Sequence, residues 1–234
     1  MTTFPDKKVL VIAVSLLANG ISSYRDVNNI ENISKKKWNA DVIIISDNSK
    51  HINDKQNCTI VTNKKQFLEE LENNIAKFSD ICDILFTISA HGYSNNKHQY
   101  ITVNGSKILD YEIRDSFYKN MNDSCLSLCL IDTCHSGTML DLPFISDNGK
   151  TFKEIKQNVI IKPKSFCISA CNDNELAGED ISNYGGWGGK LICIFLDYVD
   201  KEYVFNIENF YCYVLEKFTA QVQQKSHPLL SKTI

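Results

Sequence analysis

Along the chain, short apolar runs alternate with longer stretches whose apolar positions recur every three to four residues. Lys8–Leu17 is almost wholly apolar after its first lysine, and Asp41–Ser46 repeats the type with Val42, Ile43, Ile44 and Ile45. Both predict strands buried on two faces, which need no polar side. Asp83–Ala90, Cys125–Thr133 and Lys164–Ala170 are further runs of this kind. Lys65–Phe78 differs, because Phe67, Leu68, Leu71, Ile75 and Phe78 form one stripe at helical period. Ile101-Thr102-Val103 and Lys107-Ile108-Leu109 flank Asn104-Gly105, the dipeptide that tight hairpin turns select. Asp110–Met121 then reads as a helix, and Ile207, Tyr211, Val214 and Phe218 mark a helical face near the end. Lys190–Val199 is apolar nearly all round, so its period leaves helix and strand open. Ile145–Lys164, with several lysines and little apolar pattern, predicts an exposed loop. Such alternation predicts an α/β sandwich around a mostly parallel sheet.

Composition narrows the class without naming a chemistry. At 234 residues, and with no repeat, low-complexity tract or Pro/Gly-rich linker, the chain predicts one domain. A formal charge of -3 gives no global attraction to nucleic acid or to an anionic membrane. No apolar run reaches the roughly 18 residues that a membrane helix needs. The run Val9–Leu17 after Lys7-Lys8 has the look of a signal peptide, but no small-residue cleavage site follows, and a buried first strand is expected instead. Nine cysteines without a secretory signal predict reduced thiols in the cytoplasm. The pairs Cys125/Cys129 and Cys167/Cys171 lie in strand-like runs, where four residues span about 13 Å. That is too far for two sulfurs about 2.3 Å from one zinc, so structural zinc is not expected.

Candidate chemistry sits at two strand ends. One run finishes Ile88-Ser89-Ala90-His91-Gly92, the other Ile131-Asp132-Thr133-Cys134-His135-Ser136-Gly137. Sites in open parallel sheets form beyond the carboxyl ends of strands, so His91 and Cys134 can meet there. A Cys–His pair is what thiol acyl transfer requires: the imidazole takes the thiol proton and later returns it to the leaving amine. Gly92 and the Cys134 backbone N–H are the candidate oxyanion hole. Residues two apart on a strand share a side, so Asp132 goes with Cys134 and Ser89 with His91. A buried acid beside the nucleophile costs several kcal/mol unless a cation pairs with it. An Arg or Lys of a substrate would be that cation, which makes Asp132 a candidate specificity residue. Each of these residues has a structural alternative: a satisfied strand-end His, a small buried thiol, a helix-capping Asp. A cysteine phosphatase would need Arg six residues after the nucleophile, where this chain has Leu140.

The segment from Asp132 to Pro143 closely resembles the nucleophile motif of the metacaspases, in the caspase-like clan of cysteine peptidases. Ser89-Ala90-His91-Gly92 resembles their histidine motif, with Ala90 where Gly is usual. Ile168-Ser169-Ala170-Cys171-Asn172-Asp173-Asn174, Gly188-Gly189 and Ser226-His227-Pro228-Leu229-Leu230-Ser231 extend the likeness over most of the chain. The resemblance implies a caspase-like three-layer sandwich and endopeptidase cleavage of peptides or proteins after Arg or Lys. It also implies a monomer; no cofactor is expected to be required, with calcium left possible. The regions would be a large-subunit-like 1–144, an exposed loop 145–164 and a small-subunit-like 165–234, together a bare catalytic domain. Caspases proper prefer Asp and need a basic pocket, for which Asp132 has the wrong charge.

Several positions depart from the family pattern. Asp110 and Asp141 match two calcium-binding acids, but Tyr111 stands where a second adjacent Asp belongs, and Tyr93–Tyr100 lacks an acid-rich segment. Calcium takes six to eight oxygens, so this site is expected to be weak or lost. Asn29 stands where a second pocket acid is usual, with Asp26 nearby to compensate. Self-cleavage is expected in the loop at Lys150, Lys153 or Lys156, and Trp187 is a candidate for the cleft wall. The rival expectation is an inactive pseudo-peptidase that acts as a binding or regulatory protein.

Overall fold

The computed structural model describes residues 3–16, 23–48, 50, 52–53, 56–78, 82–95, 97–146, 152–156, 159–181, 183, 186–202, 204–219 and 228–230. Leu17, Lys150, Ser226, His227 and Ser231, named above, lie outside them. In chain order the first half comprises β1 (Thr3–Phe4), β2 (Lys8–Ser15), α1 (Ser23–Trp38), β3 (Asp41–Ser46), β4 (Cys58–Ile60), α2 (Lys64–Phe78), β5 (Cys82–Ser89), β6 (Gly92–Ser94), β7 (Gln99–Val103), β8 (Ser106–Leu109) and α3 (Asp110–Tyr118). There follow β9 (Leu126–Asp132), β10 (Phe144–Ile145), β11 (Lys153–Glu154), β12 (Lys164–Ser169), β13 (Glu179–Ile181), β14 (Trp187–Gly189), α4 (Lys190–Lys201), β15 (Phe205–Asn206), α5 (Ile207–Thr219) and β16 (Pro228–Leu230).

The main sheet runs β11-β10-β16-β12-β9-β5-β2-β3-β4. The strands from β12 to β4 are all parallel, and β16, β10 and β11 extend the β12 side in antiparallel pairs. Two-residue periodicity divides their side chains between two cores. Val9, Val11, Ala13, Leu85, Leu128 and Leu130 face α1, α4 and α5, whereas Leu10, Ile12, Phe86, Cys129 and Ile131 face α2, α3 and the β7–β8 hairpin. The result is a three-layer α/β sandwich, as expected.

Local chemistry sets the helix boundaries. Asn63 caps α2 by accepting the Gln66 N–H at 3.1 Å, and Gln66 Oε1 accepts the Thr62 N–H at 2.8 Å in return. Phe67, Leu71 and Ile75 then make its buried stripe. Phe117 of α3 stacks on Phe86 at 4.6 Å between ring centroids, which joins that helix to the sheet. Asn104 and Gly105 take the left-handed backbone that their turn requires, with φ of 45° and 79°.

Some elements differ from expectation. Lys190–Lys201 is a helix, because the α layer rather than the sheet receives its apolar surface. Helix α1 was not legible as such, since polar residues such as Asn28, Glu31 and Ser34 are buried within its inner face. The 145–164 stretch is more than a loop: Phe144–Ile145 and Lys153–Glu154 both join the sheet. Among the described residues, no helix is long and apolar enough to cross a membrane.

Candidate active site

Strands β5 and β9 are parallel neighbours, and Ser89 is the register partner of Asp132. The residues that follow each strand therefore emerge side by side at the carboxyl edge of the sheet. His91 and Cys134 line one cleft of about 540 Å³, together with Ser89, Asp132 and Asp26. A Cβ at Gly92 would collide with the Cys134 carbonyl oxygen, so the histidine and cysteine turns touch only because that residue is Gly.

Cys134 is half-buried, and its sulfur accepts a hydrogen bond from the Ala177 N–H at 3.3 Å. The next residue, His135, has φ of 54°, a backbone conformation that non-Gly residues seldom adopt and that the surrounding fold must enforce. The enforcement comes from the 171–177 segment. His135 N–H donates to Glu175 O at 3.0 Å, and His135 Nδ1 lies 2.7 Å from Asp173 O. Asp173 also accepts from Thr138, at 2.8 Å from its N–H and 2.9 Å from its hydroxyl. With the Ser136 hydroxyl 3.5 Å from Cys171 O and Gly137 packed against Asp173, all four residues after Cys134 are tied to or packed against one segment from across the cleft. Sequence reasoning did not assign these roles: a backbone N–H such as that of Ala177 leaves no residue-type signal, and Asp173 stood out only within a matched motif.

The base of the cleft is acidic. Asp26 and Asp132 are 2% and 5% exposed, and among the described residues neither has an ion-pair partner. Asp26, from α1, accepts the Ser89 hydroxyl and the Gly189 N–H, the latter 3.2 Å from both oxygens. Asp132 accepts the Ile192 N–H at 2.9 Å and so caps the start of α4 from another element. Both carboxylates press on the glycine pair, since a Cβ at Gly188 would strike Asp26 and one at Gly189 would strike Asp132. Burial pushes the Asp26 carboxyl well above the usual carboxylate range, and the charge of Asp132 adds to the rise. Burial pushes Asp132 up to about 7, against the opposing pull of the α4 N–H groups. Asn29 does not line this cleft, and Asp26 supplies the second acid in its place. Glu179 and Trp187, the latter 52% exposed, stand on the β13–β14 pair at the cleft wall. Trp187 therefore lies where expected, and Glu179 is an addition.

Asp110 and Asp141 also converge, in a separate pocket of about 300 Å³ that Lys97, Lys156 and Asp173 help to line. Asp141 is already neutralised there: Arg114 pairs with it at 2.6 Å and Lys156 pairs with its other oxygen. Asp110 accepts N–H groups from Tyr111 at 2.7 Å and Gln99 at 3.3 Å, beside His98 Nδ1. Two cations on Asp141 repel a divalent ion, and among the described residues no three His, Cys, Asp or Glu side chains are grouped to hold one. The residues present do not fit calcium.

No protein-family model matches the chain. It is similar to Metacaspase-3 of Arabidopsis thaliana, 30% identical over 129 residues that make up 46% of this chain and 34% of that protein. It is also similar to Metacaspase-1 of Plasmodium falciparum (isolate 3D7), 26% identical over 162 residues, 62% of this chain and 26% of that protein. The chain thus aligns with about a third or less of each of these relatives. Among solved structures, a protein from Geobacter sulfurreducens superposes with a TM-score of 0.67 at 13% identity, covering 97% of this chain and 94% of that one. Caspase-1 from Spodoptera frugiperda gives 0.59 at 10% identity, covering 96% and 86%. The Drosophila initiator caspase Dronc gives 0.58 at 8%, covering 97% and 80%. The fold is that of the caspases, and the sequence likeness is to metacaspases.

Proposed function

We propose that this metacaspase-like, caspase-fold chain is a cysteine endopeptidase that cuts peptide bonds after Arg or Lys, with Cys134 as nucleophile and His91 as its base. The observation that carries the reading is the shared cleft: a thiol and an imidazole at its rim, and at its base two buried carboxylates with no cation among the described residues. A basic side chain entering the cleft supplies the missing charge, and the bond on its carboxyl side then lies beside Cys134.

The proposed chemistry uses groups that line this cleft. His91 takes the thiol proton, and the Ala177 N–H at 3.3 Å stabilises the thiolate. The sulfur attacks the carbonyl carbon, and the negative charge passes to the carbonyl oxygen. Gly92 and Cys134 N–H groups are the proposed oxyanion hole. Asn95 N–H bonds to His98 O at 3.1 Å, so ladder alternation puts Gly92 at a non-hydrogen-bonded site with its N–H pointing away from β7. Collapse of the adduct breaks the C–N bond, and the imidazolium protonates the leaving amine. Water, deprotonated by His91, then cleaves the thioester and restores the thiol.

An acidic base of the pocket excludes the Asp preference of caspases proper, because a substrate carboxylate would face two acids. The proposed setting is a cytoplasmic monomer that needs no metal and binds neither nucleic acid nor membrane; all nine cysteines are free thiols, as a reducing compartment requires. The deciding assay is fluorogenic peptides ending in Arg, Lys or Asp, with wild type against Cys134→Ala, each with calcium or chelator. Turnover of the Arg and Lys peptides, lost by at least 1,000-fold in the variant and insensitive to calcium, is expected from the size of nucleophile knockouts, roughly 10⁴ to 10⁶. No turnover of any peptide would leave the chain a pseudo-peptidase.

A further inference from the structure

The acidic base of the cleft raises a question of charge balance that the peptidase reading leaves open. Two carboxylates cannot both stay ionised, buried and unpaired at close range without a large penalty. Asp26 and Asp132 are that close: the Gly189 N–H bonds to both oxygens of Asp26, and the α-carbon of the same glycine has no room for a Cβ beside Asp132. Among the described residues, the surrounding groups do not supply a cation. On α1, Arg25 turns away to pack on Gly186 and donates to the Tyr24 hydroxyl at 3.0 Å. At the start of α4, Lys190 places its ammonium over the Phe218 ring, 4.9 Å from its centre. From β13, Glu179 adds another negative group, and from the strand ends come the neutral Ser89 and the titratable His91 and Cys134.

We propose that the empty pocket holds one proton on the Asp26–Asp132 pair, and that a substrate's guanidinium or ammonium displaces it to solvent on binding. Recognition of the basic residue is then an exchange of one positive charge for another, and affinity depends on pH through the pocket rather than through the catalytic pair. Of the two acids, Asp132 is the first to lose its proton as pH rises, because the first turn of α4 donates to it. Asp26 carries the proton, since desolvation and its neighbour's charge both favour its neutral form. This rests on the reading of the pocket as the site for Arg or Lys.

The test is calorimetry on the full chain carrying Cys134→Ala, titrated with an acetylated tripeptide amide ending in arginine, in phosphate and in Tris at several pH values. The expected result at pH 8, where Asp132 is ionised and Asp26 keeps the proton, is a heat that differs between buffers by the release of about one proton, with affinity rising about tenfold per pH unit until Asp26 also ionises. The release should fade at high pH and should persist when His91→Gln is added. Binding with equal heats in both buffers and flat affinity from acidic to alkaline pH overturns the proposal but keeps the pocket. Release that vanishes with His91→Gln also overturns it, since the proton would then be the imidazole's. Failure of the arginine peptide to bind, measured beside an aspartate-ended one, overturns the reading of the pocket and the proposal together.

Discussion

Asp132 does two incompatible things well. In the proposed function it offers a charge to a ligand, and it sits where that charge is expensive. Its ordinary value near 3.8 rises to about 7 in the fold, so between these values the native state holds a proton that the unfolded chain has lost. Stability therefore falls as pH rises through that window, and the cost is complete above it. Asp132→Asn keeps the acceptor for the Ile192 N–H and removes the titration. The variant is expected to be more stable than wild type by roughly 2–4 kcal/mol at pH 8, with the gap closing towards pH 4, while activity on basic peptides collapses. Thermal melts across pH, alongside peptide assays, check this; a variant less stable than wild type at pH 8 would refute it. The glycines beside the acids are fixed by contact rather than by turn geometry, because each lies where a side chain would displace a carboxylate.

Residues 143–146 and 152–156 pair with each other as a strap. Strands β10 and β11 pair through Phe144 with Glu154 and Ile145 with Lys153, and both Ile155 and Lys156 N–H groups reach Pro143 O, at 2.8 and 3.4 Å. Lys156 is anchored by its ion pair with buried Asp141, whereas Lys153 is exposed. A basic residue must release its ammonium before it can enter an acidic cleft, so the anchored lysine is the poorer substrate. Self-cleavage is accordingly expected after Lys153 or Lys150 and not after Lys156. Intact-mass analysis of purified protein tests it: a nick present in wild type, absent in Cys134→Ala and mapped after Lys156 would contradict the strap's role. Replacing Lys156 by Ala leaves Arg114 on Asp141 and is expected to cost about 1 kcal/mol, read from thermal melts.

At the scale of the molecule, the sheet's two ends decide how it can associate. Beyond β16, the antiparallel β10 and β11 cover the open edge, and β11 itself is only two residues long. A short, charged edge strand is a poor template for a second copy, so light scattering is expected to give the monomer mass at micromolar concentration. A stable dimer that persists on dilution would place the interface elsewhere.

Periodicity and residue type determined much of this protein. Apolar runs gave every long parallel strand within two residues of its ends, because strands covered on both faces carry no competing polar pattern. The Asn104-Gly105 turn and the stripe of α2 were legible for equally local reasons. Cys134, His91 and Asp132 stood out because side-chain chemistry and strand ends both marked them. What needed tertiary structure were the relations between distant residues. Helix α1 buries polar side chains against the cleft, so its period is faint. Lys190–Lys201 is a helix because of the layer that receives it. Asp26 meets Asp132 only where α1, β9 and the Gly188-Gly189 turn converge. The Ala177 N–H, and the Lys156 ammonium in the pocket beside Asp110, are contacts made across folded segments. Such contacts depend on distances in space, to which spacing along the chain is blind.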